Sequence, residues 1–121
     1  MNKKQIAIEF LKMASSGKVK EAYDKYVHPD FKHHNAYYKG GRETLLKGME
    51  DNTKQFPDKK DETLRALGEG DLVAVQGKVT LSVDKIFPVI HIFRFNGEKS
   101  IEEWEGGQEL LKDSPNENGI F

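Results

Sequence analysis

Cysteine is absent from the 121-residue chain, which excludes disulfide bonds, thiolate metal sites and a cysteine nucleophile. Neither sign of charge is in excess, because 19 Lys and Arg face 20 Asp and Glu, and this balance argues against nucleic acid as a partner. No apolar run approaches the ~20 residues of a membrane-spanning helix, and the start MNKKQIAIEF lacks the apolar stretch of a signal peptide. We therefore expect a cytoplasmic protein that binds neither nucleic acid nor membranes.

The composition is that of a folded domain, with 36% hydrophobic and 32% charged residues. A chain of this length can bury one substantial core and is short for two. The sequence therefore predicts a single domain over residues 1–121.

Three helices are predicted in the first half of the chain. Apolar residues recur at helical spacing from Asn2 to Ser16 and again from Lys18 to Tyr26. The polar, aromatic and glycine-containing segment from His28 to Glu43 is predicted to be a loop that reaches over the fold. The run from Arg42 to Thr53 again has helical spacing and is predicted to form the third helix.

The second half of the chain changes to the alternating pattern of strands. Strands are predicted over Thr63 to Leu67, over Leu72 to Val83, and in a hairpin that spans Val89 to Gln108. Helices followed by strands indicate an α+β domain with the helices on one face of an antiparallel sheet. A strongly twisted sheet curls, and helices across its concave side would enclose a cone-shaped pocket.

The predicted hairpin turns at the dipeptide Asn96-Gly97, which tolerates positive φ angles. The loop either holds two residues, with Asn96 and Gly97 both left-handed, or holds three and closes with a glycine-containing bulge. The sequence leaves both possibilities open.

The loop length decides which side chains lie beside His91. A three-residue loop places Glu103 and Glu105 on its face of the sheet, whereas a two-residue loop places Glu102 and Trp104 there. In either register an acid lies next to the imidazole.

Several motifs occur in a characteristic order, namely DFKHHNAYYKGGRE, QFPD, EGDLVAVQGKV, HIFRFNGEKSIEEWEGGQ and SPNENGIF. In this order they resemble the polyketide-cyclase-like (SnoaL-like) branch of the nuclear-transport-factor-2-like (NTF2-like) superfamily, from about Tyr26 onwards. The resemblance implies an α+β, cystatin-like cone in which three N-terminal helices pack on a strongly curved, four-stranded, mainly antiparallel sheet enclosing a pocket. It also implies a homodimer through the sheet and no metal or organic cofactor.

The pocket residues of that family fall on this chain with two departures. A loop His-Asn pair falls on His34 and Asn35, and a strand Asp falls on His91. Where the next strand of the family has His and Asp, this chain has Glu103 and Glu105, so that acid and imidazole have changed sides. The resemblance thus implies four catalytic residues, His34, His91, Glu103 and Glu105, with Glu103 or Glu105 as the base. The residues expected to bind substrate are Asn35, Tyr37, Phe10, Phe31, Phe93 and Trp104.

A metal site is not expected. His33 and His34 are adjacent in the chain and such pairs rarely converge on one ion, and no His-x-x-x-His or Glu-x-x-His spacing occurs. We therefore predict a protein without a metal or another cofactor.

The chemistry of such a pocket follows from its residue types. A desolvated carboxylate beside an imidazole suits abstraction of a proton next to a carbonyl group, the step shared by aldol cyclisation, isomerisation and dehydration. The predicted function is a cofactor-independent lyase or isomerase of the aldol-cyclase type, acting on a small hydrophobic carbonyl compound. The alternative is a non-catalytic domain that holds an apolar ligand and dimerises through its sheet. In that case the glutamates face solvent and His91 is satisfied by a cross-strand partner.

Overall fold

Three helices and five strands follow one another in a computed structural model that describes all 121 residues. Their bounds are α1 Lys3–Ser15, α2 Val19–Tyr26, β1 Val27–His34, α3 Arg42–Gln55, β2 Lys60–Glu69, β3 Leu72–Ser82, β4 Lys85–Asn96 and β5 Lys99–Gly107. The strands form one sheet in the order β1-β5-β4-β3-β2, in which β1 is parallel to β5 and the other neighbours are antiparallel. The predicted α+β fold is confirmed, with five strands instead of four.

The additional strand is β1, which occupies part of the segment predicted to be a loop. Phe31 and His33 are buried, whereas Lys32 and His34 between and after them are exposed, so that this short stretch alternates as a strand does. Pro29 cannot donate a hydrogen bond and is tolerated because β1 lies at the edge of the sheet. A polar composition concealed the alternation.

The first helix begins and ends as the sequence predicts. The Asn2 side chain accepts a hydrogen bond from the backbone of Gln5 at 2.9 Å, and the Gln5 side chain accepts one from the backbone of Asn2 at 2.8 Å. Gly17, with φ of 91°, follows the C-terminal end. The buried stripe of this helix consists of Ile6, Ala7, Phe10, Leu11 and Ala14. None of the three helices is long and apolar enough to span a membrane.

The core lies between the helices and the concave face of the sheet. Aromatic rings dominate it: Phe10 lies 5.5 Å from Tyr23 and 5.9 Å from Phe93, and Phe31 lies 6.3 Å from Tyr23, between ring centroids. A cavity of about 10 Å³ remains beside Phe10 and Phe93. This volume would hold about one water molecule, so the rings around it leave little free space among them.

The convex face of the sheet carries alternating apolar and polar side chains. Val73 and Val75 of β3 are buried in the core, whereas Leu72, Ala74 and Gln76 point to the other side. On the neighbouring strand Ile90 is 52% exposed and Ile92 is 38% exposed. Exposed aliphatic residues side by side on a sheet are typical of an interface.

We predict a homodimer that forms through this convex face. Replacing Ile90 with Lys should place a charge in the interface and shift the protein to monomer, since an unpaired charge is costly to bury. Val83→Lys is the matched control, because Val83 is 90% exposed in the turn after β3. Sedimentation equilibrium of the three proteins provides the measurement, and a monomeric wild type at micromolar concentration would contradict the prediction.

Candidate functional site

The turn of the β4–β5 hairpin holds two residues, Gly97 and Glu98, because Asn96 pairs with Lys99. Gly97 has φ of 63°, and no residue other than glycine has a positive φ. Both expected loops are therefore wrong: the turn lies one residue further along, where a single left-handed position falls on glycine. This arrangement avoids the cost of a left-handed Asn96.

A β-bulge at Ile101 then sets the face of the side chains that follow. Ile101 is an extra residue in β5, and the pairing with β4 shifts by one position there. After the bulge, odd-numbered residues of β4 pair with odd-numbered residues of β5, as they would with the expected three-residue loop. As a result Glu103 and Glu105 lie on the concave face together with His91, as that alternative predicts.

The three side chains make direct contact. Nδ1 of His91 lies 3.4 Å from Oε1 of Glu103 and 3.6 Å from Oε1 of Glu105. Their side chains are 9%, 4% and 29% exposed, respectively, so Glu105 is the member that solvent reaches. Glu105 is the residue directly opposite His91, whereas Glu103 pairs with Phe93 and reaches the imidazole diagonally. The three-residue loop considered in the sequence analysis would place Glu103 directly opposite His91, and the structure corrects this position to Glu105.

His91 is held in its charged form. Burial alone would lower its pKa, but the hydrogen bond and charge of Glu103, followed by the charges of Glu105 and Asp61, raise the pKa to about 9. The imidazole is therefore protonated at neutral pH. Nε2, the other ring nitrogen, makes no hydrogen bond within the protein, and it is not among the fully buried unpaired atoms. It is available to a ligand.

Glu105 is the carboxyl group that titrates near neutral pH. Burial and the carboxylate of Glu103 raise its pKa to about 7, against the charge of His91 and a hydrogen bond from Asn35 that act to lower it. A group with a pKa near the ambient pH can both accept and return a proton. The arrangement is thus an acid-base pair with Glu105 as its exchanging member.

Asp61 also faces this cluster, and the sequence analysis did not single it out. It lies near the start of β2, and burial raises its pKa while the charges of His91 and Lys59 oppose the rise. Its carboxylate lies over Gly77, where a Cβ would be 3.1 Å from Asp61 Oδ1. The signal in the sequence is Gly77, which occupies a position of β3 where the alternation of Val73, Val75 and Val79 predicts another valine.

His34 points away from the cluster, contrary to its predicted role. Its Nε2 lies 2.7 Å from Oε2 of Glu102, and its ring stacks on Trp104 at 5.2 Å, so these three residues form a pair and a stack on the convex face. His33 is the inward residue, because Phe31 two positions earlier is also inward. Its nitrogens face the Lys39 carbonyl and the Asn35 backbone amide, which leaves His33 with a structural role.

The predicted substrate-binding residues divide in the same way. The Asn35 side chain lowers the pKa of Glu105 and so faces the cluster, and Phe93 stacks under His91 at 5.8 Å. Phe10 and Phe31 are core residues that pack against other rings. Trp104 on the convex face and Tyr37, which is 90% exposed, take no part in the cluster. Strand parity and loop geometry decided these outcomes.

His91, Glu103 and Glu105 are also the residues that could hold a metal ion, since one ligand atom from each lies within 4.8 Å of the others. The spacing rules applied to the sequence do not detect such a set, because its members come from two neighbouring strands. A metal would have to displace the proton on His91.

Solved structures with the same fold are known. AclR from Streptomyces galilaeus, for which a hydroxylase activity is proposed, has 20% identity over 88% of each chain and a TM-score of 0.77. IdmH from Streptomyces antibioticus, a proposed polyketide cyclase, has 19% identity over 88% of this chain and 93% of that one, with a TM-score of 0.72. A SnoaL-like protein of unknown function from Burkholderia thailandensis has 13% identity over 88% and 94%, with a TM-score of 0.73.

These similarities define the class of fold, which is SnoaL-like within the NTF2-like, cystatin-like group. The fold that the sequence motifs imply is thereby confirmed. No protein-family model and no curated protein matches the sequence. Scaffolds of this type carry unrelated functions, so the reaction has to be argued from the site.

We predict that Glu103→Gln lowers the pKa of His91 from about 9, because the variant lacks the partner that contributes most to raising it. Glu102→Gln removes a carboxylate from the same strand but on the opposite face and should leave His91 unchanged. NMR titration of the imidazole in both variants is the measurement. An unaltered His91 pKa in Glu103→Gln would contradict the assigned contact.

We also predict that stability falls as the pH rises. The pKa of Glu105 is about 7 in the folded protein and 4.5 in the unfolded chain, and that of His91 is about 9 and 6.5. The folded protein therefore binds both protons more tightly than the unfolded chain does. The stabilisation by protonated Glu105 is fully present below pH 4.5 and is lost as the pH rises through about 7. The stabilisation by protonated His91 is fully present below pH 6.5 and is lost as the pH rises through about 9. Urea unfolding at about pH 5, 7 and 9 should give a decreasing free energy. Glu105→Gln should flatten the first interval, and a flat wild-type profile would contradict the assignment.

Proposed function

We propose that this protein is a cofactor-independent enzyme that removes a proton from the carbon next to a carbonyl group, as in aldol cyclisation, isomerisation or dehydration. The observation that carries the proposal is the contact of one buried imidazole with two carboxylates on the concave face of the sheet. Perturbed titratable groups gathered at one place are typical of active sites.

In this proposal Glu105 is the base. It is the solvent-reachable member of the pair, and its pKa of about 7 lets it take a proton from carbon and return it later. The proton moves from the α-carbon to a carboxylate oxygen of Glu105. The electron pair of the C–H bond forms the C=C bond of the enolate, and the π electron pair of the carbonyl group moves onto the oxygen.

His91 stabilises the enolate that forms. Its Nε2–H is free to donate to the developing oxyanion, while Nδ1–H is directed at the carboxylates. Glu103 is a positioning residue, because it holds the imidazole in its charged form and does not itself face solvent. This division of roles needs no group that the chain lacks.

Asn35 assists the base. Its side-chain amide favours the ionised carboxylate of Glu105 and opposes the rise of the Glu105 pKa that burial causes. The family-like His-Asn pair of the sequence would thus contribute its asparagine to catalysis and its histidine to the outer face of the sheet.

The second candidate is a non-catalytic domain that dimerises and binds a ligand. The observation that favours it is the pair of exposed aliphatic residues Ile90 and Ile92 on the convex face, which suits an interface between two copies of the chain. A measurement of proton removal separates the two candidates.

We predict that the protein catalyses exchange of α-protons for deuterium in small ketones such as 2-butanone, dissolved in D₂O and followed by NMR. Glu105→Gln should lower the catalysed rate by about 10²-fold or more, the usual contribution of a general base. The rate should rise as Glu105 loses its proton near 7 and fall as His91 loses its proton near 9.

The matched control is Glu102→Gln, which removes the outward-facing neighbour on the same strand and should retain the wild-type rate. Exchange that proceeds equally fast in Glu105→Gln and in the wild type would reject the proposed base and leave the binding domain as the better account.

A further inference from the structure

We infer that Asp61, with Lys59 beside it, is the specificity-determining part of the site and selects a small ketone that carries a hydroxyl group. Asp61 would accept a hydrogen bond from that hydroxyl while the carbonyl oxygen faces His91. The inference rests on the proposed function and adds the class of substrate, which is polar and not the hydrophobic compound that the sequence alone indicates.

The first argument is that the hydrophobic space is already occupied. Phe10, Phe31 and Phe93 were expected to form the walls of a pocket, but their rings pack against one another and against Tyr23. The cavity that remains among them is about 10 Å³. These rings therefore leave little room among them for an apolar ligand, and the polar groups around His91 are the ones left to recognise a substrate.

The second argument is the state of Asp61. Burial raises its pKa, and the opposing influences are the charges of His91 and Lys59 alone, with no hydrogen bond among them. Lys59 donates to Oδ1 of Asn52 at 2.8 Å instead of forming an ion pair with Asp61. The Asp61 oxygens are not among the fully buried unpaired atoms, so a ligand hydroxyl can donate to a carboxylate that has no donor within the protein.

The third argument is the space that β3 leaves for this carboxylate. Gly77 interrupts a row of valines on the concave face, and Asp61 Oδ1 occupies the place next to its missing side chain. The glycine thus lets the carboxylate lie over the sheet on the side of His91. Gly77 pairs with Val89, two residues before His91 on the same face of the sheet, so the carboxylate lies on the side of the cluster, and its charge acts on both His91 and Glu105.

The charged groups around the site also restrict the net charge of the ligand. Glu103, Glu105 and Asp61 disfavour an anion, and the cations of His91 and Lys59 disfavour a positively charged ligand. A neutral molecule with one acceptor for His91 and one donor for Asp61 matches both. A hydroxy ketone is the simplest compound with these two groups.

The test compares two probes of equal carbon number, 4-hydroxy-2-butanone and 2-butanone. Deuterium exchange at the α-carbons is measured by NMR and corrected for the uncatalysed rate of each ketone. The wild type should prefer the hydroxy ketone by about tenfold or more in kcat/KM, as expected for a hydrogen bond to a charged group. Asp61→Asn should reduce this preference through the KM of the hydroxy ketone. Exchange of 2-butanone in the same variant measures how far the lost charge acts on His91 and Glu105, and the preference is taken as the ratio of the two kcat/KM values.

Two further variants separate recognition from general effects of charge. Glu62→Gln removes the next carboxylate on β2, which is exposed and pairs with Lys78, and should keep the preference. Gly77→Ala should displace the Asp61 carboxylate without removing its charge and should lose the preference as Asp61→Asn does. A melting temperature close to that of the wild type confirms that each variant is folded.

Binding is measured in parallel from the NMR shift of the His91 imidazole, so that recognition is tested even where exchange is slow. Tighter binding of 4-hydroxy-2-butanone by the wild type, lost in Asp61→Asn, supports the inference. Equal affinity for the two ketones, or a preference that survives in Asp61→Asn, overturns it. Loss of exchange in Asp61→Asn but not in Glu105→Gln would instead overturn the proposed function.

Discussion

The contact of His91 with Glu103 and Glu105 is the interaction on which the site depends, because none of the three is tolerable in the interior alone. Isolated buried charges are strongly unfavourable, and a cation between two carboxylates offsets the cost for all of them. The contact exists only in one register of the hairpin. A slip of one residue would turn Glu103 and Glu105 to the convex face and bring Glu102 and Trp104 inward, so that His91 would lose both carboxylates of the observed cluster.

The bulge at Ile101 is therefore a functional feature of the backbone. Without it, the two-residue turn at Gly97 would pair His91 with an even-numbered residue of β5 and bring Trp104 or Glu102 inward. The bulge also explains why the outer face is well satisfied: His34, Glu102 and Trp104 meet there in an ion pair and a ring stack. The one extra residue thus directs Glu102 to the outer face, where it pairs with His34, and directs Glu103 and Glu105 to the face that carries His91.

The sequence predicted the fold to the extent that periodicity and turn residues determine it. The three helices and the strands of the second half follow from spacing, and the motif order implied the SnoaL-like fold that the similar structures confirm. The strand register that places His91 on the same face as Glu103 and Glu105 is one of the two that the sequence allows. It could not be chosen from the sequence because it depends on where β5 accommodates its extra residue, and Ile101 carries no local signal for a bulge.

The missed elements have a common cause, which is that polar strands resemble loops. The sequence predicts a loop where β1 lies and a catalytic His34, although Phe31 and His33 already show the alternation that orients His34 outward. Asp61 lay before the predicted start of β2 for the same reason. Tertiary pairing, and not local propensity, makes these segments strands.

The exchange of acid and imidazole between strands, relative to the family pattern, has a physical consequence. With the imidazole on β4, it lies between β5, which supplies Glu103 and Glu105, and the more distant β2, which supplies Asp61. An imidazole on β5 would face the β1 side of the sheet instead and would be remote from Asp61. The exchange therefore brings a third carboxylate into range of the same cation, and Gly77 on the intervening strand provides the space for it. The site is polar because of this arrangement of charged groups. Apolar residues are not lacking, since the aromatic rings of the core pack directly beneath His91.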